Sequence, residues 1–337
     1  MHIGRAGPWI VPAGGAAHND RMHPISTDQA DGLHTLLGAG GVIARELSAA
    51  LSRSAGLRLV SRTAQPVPAN AQWVGADLLD AQATARAVQG SSVVYLVAGL
   101  RYDTAVWQAE WPRVMAHTIE ACQRHGARLV FFDNVYAYGR VQGAMTEDAP
   151  FNPCSRKGEV RAAIATTLLD AMRRGEVNAL IARSADFYGP GAHNSLLHNV
   201  IVQRLAARKA PQWIGNPQAL HSFTYTPDAG RALALLGRSP EAFGQTWHLP
   251  TSAEAITGEA LVRLACELAD QPFRVQTLPR WMLRGLGLFV PVLRENEEMM
   301  YQLEQDYRFD SRKIEQALGL RATPYRDGMA ATLRSVG

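Results

Sequence analysis

The chain has 337 residues, of which 47% are hydrophobic and 19% are charged. This mixture can bury a large core and excludes a disordered, collagen-like or coiled-coil protein. At roughly 150 residues per domain, the length predicts two domains, or one large domain with an added lobe. No apolar run reaches the ~18 residues of a membrane span, so no membrane partner is expected. The nearest candidate, Trp281 to Val292, contains Arg284 and is predicted to be a buried or interfacial helix.

The net charge of +4 is carried by arginine, because only Lys157, Lys209 and Lys313 are lysines. The arginines are scattered rather than gathered in a basic stripe, so we expect no nucleic-acid partner. Three widely separated cysteines and unclustered histidines predict neither disulfides nor a metal site, and they favour a cytoplasmic protein. Cys154 is expected to be a buried, unreactive thiol.

Residues 1–31 show no periodicity, and we interpret them as a disordered leader or a start-site extension, with Met22 as an alternative start. From residue 33 onward, short apolar runs alternate with helical periodicity. The predicted strands up to residue 182 are Leu33–Leu37, Leu57–Val60, Gln72–Ala76, Ser92–Val97, Arg128–Phe132 and Asn178–Ala182. The main predicted helices begin near residues 43, 105 and 155.

Nearly all-apolar strands that alternate with helices predict an α/β fold with a doubly wound parallel sheet of the Rossmann type. Beyond residue 190 the alternation loosens, which predicts a smaller mixed C-terminal substrate lobe. The whole segment beyond residue 190 is predicted to hold a helix near Leu196–Arg208, a strand near His221–Tyr225, a helix after Asp228, a strand at Thr246–Leu249, and helices at Gly258–Ala269 and around Asn296–Gln305. We assign residues 32–190 plus about 217–250 to the nucleotide-binding domain, and about 191–216 plus 251–337 to the substrate lobe.

The first predicted turn, between strand and helix, is rich in glycine. Gly38 allows a tight bend, Gly41 allows a diphosphate to approach the backbone, and the small Ala44 allows the helix to pack on the sheet. The amino end of the helix supplies N–H donors to an anion. The alternative is a purely structural turn.

Ser61 and Arg62 follow the second predicted strand, where an acidic residue would bind the ribose hydroxyls of NAD. A hydroxyl and a guanidinium suit a 2′-phosphate instead, so the sequence favours NADP over NAD. The alternative is that Arg62 is one surface arginine among many.

Several motifs in order along residues 33–250 resemble the NAD(P)-dependent epimerase/dehydratase family of the extended short-chain dehydrogenase/reductase superfamily. They are Gly38-x-x-Gly41-x-x-Ala44, Asp77-Leu78, Val97-Ala98-Gly99, Val135-Tyr136-Ala137-Tyr138-Gly139, Arg183-Ser184-Ala185-Asp186-Phe187-Tyr188-Gly189-Pro190-Gly191 and Tyr225-Thr226-Pro227-Asp228. The resemblance implies that a set of residues binds the cofactor. Those for the diphosphate are Gly38, Gly40, Gly41, Val42 and Ile43; those for the adenine are Asp77 and Leu78; those for the ribose and nicotinamide are Val97, Ala98, Gly99, Ser184, Ala185 and Phe187.

The chain departs from the family pattern at the residues that move the proton. Members usually carry a Ser or Thr and a Tyr-x-x-x-Lys, but here the first position is Asn134. If Lys157 is the family lysine, the tyrosine position is Pro153, and a slip of one residue to Cys154 loses the lysine. Lys157 shares a helical stripe with apolar residues, so we predict that it contacts the ribose; the alternative is a solvated lysine at a helix end.

Tyr136 is the candidate to replace the missing tyrosine, since it occupies a catalytic position of related sugar-nucleotide dehydratases. Its phenol could exchange a proton if Lys157 or Arg161 lowers its pKa, and Asn134 could orient a substrate carbonyl. The alternative is that Tyr136 only packs against substrate or nicotinamide.

The sequence therefore predicts an NAD(P)-dependent oxidoreductase or epimerase/dehydratase that acts on a small, partly apolar carbonyl or hydroxyl substrate. The resemblance further implies a homodimer built on the helices near residues 105–125 and 155–174. The alternative is a dinucleotide-binding sensor or scaffold that keeps the cofactor without redox turnover.

Overall fold

The computed structural model describes residues 32–52, 56–278 and 295–336. The strands of these residues are β1 (Leu33–Leu37), β2 (Gly56–Ser61), β3 (Ala71–Gly75), β4 (Ser91–Leu96), β5 (Arg128–Asn134), β6 (Ala144–Met145), β7 (Ala179–Ser184), β8 (Asp186–Tyr188), β9 (Gln212–Ile214), β10 (Leu220–His221), β11 (Phe223–Tyr225), β12 (Thr246–His248), β13 (Ile256–Thr257), β14 (Gln276–Leu278) and β15 (Arg308–Phe309). The α-helices are α1 (Val42–Leu51), α2 (Ala81–Val88), α3 (Thr104–His125), α4 (Arg156–Arg173), α5 (Gln203–Ala206), α6 (Thr226–Arg238), α7 (Gly258–Leu268), α8 (Tyr301–Glu304), α9 (Arg312–Leu318) and α10 (Tyr325–Arg334).

The central sheet has seven strands in the order β12-β7-β5-β4-β1-β2-β3. Every pair in it is parallel, so all seven carboxyl ends lie on one edge. The strand order reverses between β1 and β4, which is where ligands bind in open α/β sheets. The predicted doubly wound Rossmann-type sheet is confirmed.

Helices cover both faces of the sheet, which is why its central strands are almost wholly apolar. One face packs against α2, α3 and α4 through a core that includes Trp111, Ile164 and Leu168. The opposite face packs against α1 and α6, and α9 adds Ile314 and Ala317 to this second core. Helix α9 therefore packs on the central sheet, although α10, which follows it, packs in the C-terminal lobe.

The C-terminal lobe has its own apolar core, built mainly from α5, α7 and α10 and from strands near the sheet edge. Trp213 is buried in this core, and Tyr301 and Tyr307 are buried in a smaller cluster between the lobe and the end of β5. Among residues 32–52, 56–278 and 295–336, no helix combines the length and apolarity needed to cross a membrane.

Several local predictions differ from the structure. The helix expected near residues 196–208 is present over residues 196–206, but it contains a π-helical turn at His198–Val202. The strand expected near residues 221–225 is split into β10 and β11 because the two strands pair with different partners. Helix α2 escaped prediction because it is only eight residues long and four of these residues are alanines at alternate positions, which hides the helical period. The helix predicted at residues 281–292 lies outside the described residues.

Candidate active site

The turn after β1 packs directly against the backbone that follows β4. Gly38 has a φ of +104°, in the region that favours glycine, and a Cβ placed there would lie 2.3 Å from the Ala98 Cα. The N–H groups of Gly38 and Ala39 both donate to the Val60 carbonyl at 2.9 Å. Only glycine fits this position, and it fixes the turn at the carboxyl edge of the sheet.

The amino end of α1 is open to an anion. Gly41 is the N-cap in extended conformation, no side chain caps the helix, and its first turn carries no acidic residue. A Cβ at Gly41 would have its nearest neighbour 3.9 Å away, so the space beside the backbone is free. Val42 and Ile43 are half-buried and buried, so they can offer their backbone N–H groups rather than their side chains. These features, with the open space at Gly40, fit the diphosphate of a dinucleotide.

The end of β2 carries the residues predicted to distinguish NADP from NAD. The Ser61 hydroxyl donates to the Thr63 carbonyl at 2.7 Å and accepts from the Trp73 indole N–H at 3.0 Å. Its single proton is therefore already used within the protein. The Arg62 side chain is exposed, so a phosphate placed here would be bound mainly by its guanidinium.

The remaining residues expected around the adenine and ribose lie along the same edge. Asp77 is exposed, and its carboxylate accepts the Leu79 N–H at 3.0 Å. Leu78 is half-buried against the core formed by α2, α3 and α4. Val97 is buried, Ala98 is half-buried and Gly99 is exposed just after β4. Val97, Ala98 and Gly99 therefore lie at the reversal of strand order, whereas Asp77 and Leu78 follow β3 at the outer edge of the sheet.

The residues predicted to border the nicotinamide follow β7. The Ser184 hydroxyl donates to the Ala185 carbonyl at 2.6 Å, and the Ala185 N–H donates to the Thr224 hydroxyl at 3.1 Å. Phe187 is half-buried in β8. Since β5 and β7 pair in register up to Asn134 and Ser184, this segment lies beside the end of β5.

At the end of β5, Asn134 shapes the turn that carries Tyr136. The Asn134 side-chain oxygen accepts the Tyr136 N–H at 3.0 Å, which leaves the amide NH₂ group for a ligand. The Tyr136 ring is partly buried and stacks on Trp107, with 6.2 Å between the ring centroids.

The charge state of Tyr136 differs from the expectation. Burial raises its pKa far above the usual value, and the negative charge of Asp186 adds to that rise. The positive charge of Arg161 acts in the opposite direction but is outweighed. The prediction of a lowered pKa was wrong, and Tyr136 stays a phenol near neutral pH that can donate a hydrogen bond.

Lys157 lies in the first turn of α4, whose amino end is capped by the Ser155 hydroxyl. It shares the buried face of the helix with Val160, Ile164 and Leu168, as the periodicity indicated. Its fully buried side chain bonds to Glu295 at 2.5 Å, to Glu298 at 2.9 Å and to the Thr104 hydroxyl at 2.9 Å.

The ammonium of Lys157 also lies 4.7 Å from the ring centroid of Tyr102. Burial alone would raise the pKa of Glu295, but hydrogen bonds from Lys157 and Thr104, together with the lysine charge, lower it to about 2. The lysine is thus held by two carboxylates in this structure, and its contact with a ribose stays a prediction.

Sequence reasoning missed a buried charge cluster behind this site. Asp133 accepts from the Arg161 Nε at 2.8 Å and from the Arg183 Nε at 3.1 Å, and all three side chains are almost fully buried. Arg183 also donates to the Tyr138 hydroxyl at 2.8 Å, which lies 2.7 Å from the His248 Nε2. The available signal for this cluster was Arg183, which lies in the otherwise mostly apolar strand β7. A buried guanidinium needs an acidic partner.

A second missed feature is the contact between His221 and Asp186, whose Nε2 and Oδ2 atoms are 3.1 Å apart. Asp186 follows Ser184-Ala185 directly, whereas nothing in the sequence marked His221. Cys154 is exposed rather than buried, so that expectation was wrong. It lies in the loop before α4, which has no apolar core to cover it.

The sequence model of the NAD dependent epimerase/dehydratase family matches residues 35–249. The chain belongs to this family. Membership makes it a relative of NAD-dependent enzymes, and it agrees with the site geometry at the glycine turn. The search of the curated proteins found no match.

Solved structures share the fold of this family member at low sequence identity. UDP-glucose 4-epimerase of Thermus thermophilus, in complex with NAD, is 18% identical, with a TM-score of 0.74 over 90% of this chain and 98% of that chain. UDP-glucuronic acid 4-epimerase of Bacillus cereus with NAD is 17% identical, with a TM-score of 0.73 over 90% and 96%. dTDP-glucose 4,6-dehydratase of Streptomyces venezuelae is 18% identical, with a TM-score of 0.73 over 90% and 96%.

Proposed function

We propose that the protein is an NAD(P)-dependent oxidoreductase or epimerase/dehydratase that interconverts a hydroxyl and a carbonyl without the usual tyrosine of Tyr-x-x-x-Lys. The observation that carries this proposal is the position of Tyr136, which follows β5 on the same sheet edge as the open glycine turn. A phenol that stays neutral can donate a hydrogen bond to a substrate oxygen.

The cofactor we favour is NADP, with NAD as the alternative. Arg62 supports this choice because it is exposed where a 2′-phosphate would lie and no acidic residue follows β2. The solved relatives described above contain NAD, so the preference depends on the residues of this chain. When bound, the nicotinamide supplies the hydride chemistry, and the N–H groups at the start of α1 hold the diphosphate.

The substrate we propose is a small, partly apolar carbonyl or hydroxyl compound. The buried rings of Tyr301 and Tyr307 pack in one cluster with Tyr136 and offer apolar surface with a polar edge. The amide of Asn134 orients the substrate oxygen, and Tyr136 donates to it. We further propose a cytoplasmic homodimer that associates through α3 and α4.

The test combines calorimetry with the absorbance of the reduced nicotinamide. Wild-type protein is titrated with NADP and NAD, and turnover is measured with a panel of aldehydes, ketones, alcohols and UDP-glucuronic acid. Tyr136→Phe should lower kcat by roughly 10²-fold without weakening cofactor binding. Tyr225→Phe is the matched control, because its hydroxyl lies near Asp228 and Glu46 on α6 and α1. Equal loss in both variants would contradict the role of Tyr136.

The sensor or scaffold function is the second candidate, and the position of Lys157 favours it. Glu295 and Glu298 both form ion pairs with Lys157, the residue predicted to contact the ribose. This arrangement suits a protein that retains its ligand without redox chemistry. Saturable cofactor binding with no turnover on the whole panel would select this function.

A further inference from the structure

The His221 ring is held between two oxygen atoms. Its Nδ1 lies 3.1 Å from the backbone carbonyl of Gln302, and its Nε2 lies 3.1 Å from Asp186 Oδ2. The ring is buried and packs on Tyr307, with 5.8 Å between the centroids. Because its backbone neighbours also bond to Tyr307, the ring has a fixed position.

This geometry determines where protons must lie. A carbonyl oxygen can only accept, so Nδ1 carries a hydrogen. Without a proton, Nε2 and the Asp186 carboxylate would both be hydrogen-bond acceptors and would repel each other. A proton shared between the two atoms converts this repulsion into a hydrogen bond. The side chain of Asp186 is 24% exposed and His221 is 2% exposed. The pair is therefore accessible from outside through the carboxylate and not through the ring.

Asp186 directly follows Ala185, which packs in one buried cluster with Tyr136, Tyr301 and Tyr307. The negative charge of Asp186 acts on the hydroxyls of four buried tyrosines, and the charge of Glu298, which is bound to Lys157, acts on two of them. The tyrosines are Tyr102, Tyr136, Tyr301 and Tyr307. All four have raised pKa values because they are buried, so they remain neutral phenols near neutral pH. A phenol of this kind is a poor proton source, whereas a proton shared between an imidazole nitrogen and a carboxylate oxygen is transferred more readily.

We propose that Asp186 and His221 form a proton-sharing pair that supplies and takes back the proton of the substrate hydroxyl. This inference rests on the proposed function, in which Tyr136 holds the substrate oxygen by a hydrogen bond. In reduction, the Nε2 proton passes to the Asp186 carboxylate and from there to the substrate oxygen. One N–H bond breaks, one O–H bond forms, and neutral imidazole and carboxylate remain; oxidation runs in reverse. The electron pair is the one that the nicotinamide supplies when bound.

The first test needs no turnover. The full chain is labelled with ¹⁵N-histidine, and the His221 ring is assigned by comparison with His221→Gln. Near neutral pH, both ring nitrogens of the wild type should be protonated, and Asp186→Asn should leave Nε2 unprotonated because the amide can donate to it. An unprotonated Nε2 in the wild type would overturn the proposal, whatever the enzyme does.

The second test is kinetic. Asp186→Asn should lower kcat by roughly 10²-fold or more, with cofactor affinity within about twofold of wild type. Asp306→Asn is the matched control: its exposed carboxylate accepts the N–H of Leu220, next to His221, and does not touch the ring. Unchanged kcat in Asp186→Asn would overturn the pair while leaving the proposed function intact. If the wild type turns over nothing, the proposed function fails, and the ring protonation alone decides whether the pair exists.

Discussion

The contact between Lys157 and Glu295 makes a prediction about acid stability. Glu295 has a pKa of about 2 in the folded protein, against an ordinary value of 4.5. A group with a lowered pKa stabilises the fold above its unfolded value, and it loses this effect as the pH falls towards the folded value. At about 1.4 kcal/mol for each tenfold change in acidity, the ceiling is about 3 kcal/mol. Since the glutamate side chain is 15% exposed, solvent screening reduces the expected figure to about 1–2 kcal/mol.

The variant to measure is Glu295→Gln, by urea unfolding from neutral pH to about pH 3. We expect it to be less stable than the wild type by about 1–2 kcal/mol near neutral pH. The difference should shrink below pH 4.5, because the unfolded wild type then takes up a proton on this carboxyl, whereas the folded protein keeps it ionised down to about pH 2. The matched control is Glu120→Gln, which breaks an exposed pair with Arg124 and should cost at most ~0.5 kcal/mol. A difference between Glu295→Gln and wild type that stays constant down to about pH 3 would refute the reasoning.

Three further predictions concern the turn, the cofactor preference and the buried charges. Asp133→Asn leaves two buried guanidiniums without their carboxylate, so urea unfolding should show a loss of about 3–5 kcal/mol; a loss below ~1 kcal/mol would contradict the cluster. Gly38→Ala places a methyl group against Ala98 and should lower both Tm and cofactor affinity, whereas Gly90→Ala, with a φ of +77° and open space, should cost only about 1–2 kcal/mol; equal effects would rule out the clash. Arg62→Ala should weaken NADP binding in calorimetry by roughly tenfold or more and leave NAD unchanged; an equal loss for both cofactors would mean that Arg62 does not read the 2′-phosphate.

Much of the fold could be predicted because its signals are local. The apolar strands and the glycine turn each occupy a short stretch of sequence, and each family motif follows one of the predicted strands. The partners of the charged groups could not be predicted in this way. Glu295 and Glu298 lie 138 and 141 positions beyond Lys157, and His221 lies 35 positions beyond Asp186. Nothing in the local sequence specifies such contacts, because tertiary packing of the C-terminal segment creates them.

The helix α9 has a consequence for how the protein is made. Its Ile314 and Ala317 are buried in the core that α1 and α6 form on one face of the sheet, and Lys313 donates to the Thr246 carbonyl at 2.7 Å in β12. The part of that face beside β12 therefore stays uncovered until residues 312–318 have left the ribosome. During synthesis the nascent chain must carry that apolar surface unprotected, so its yield in cells should depend on chaperones that shield it.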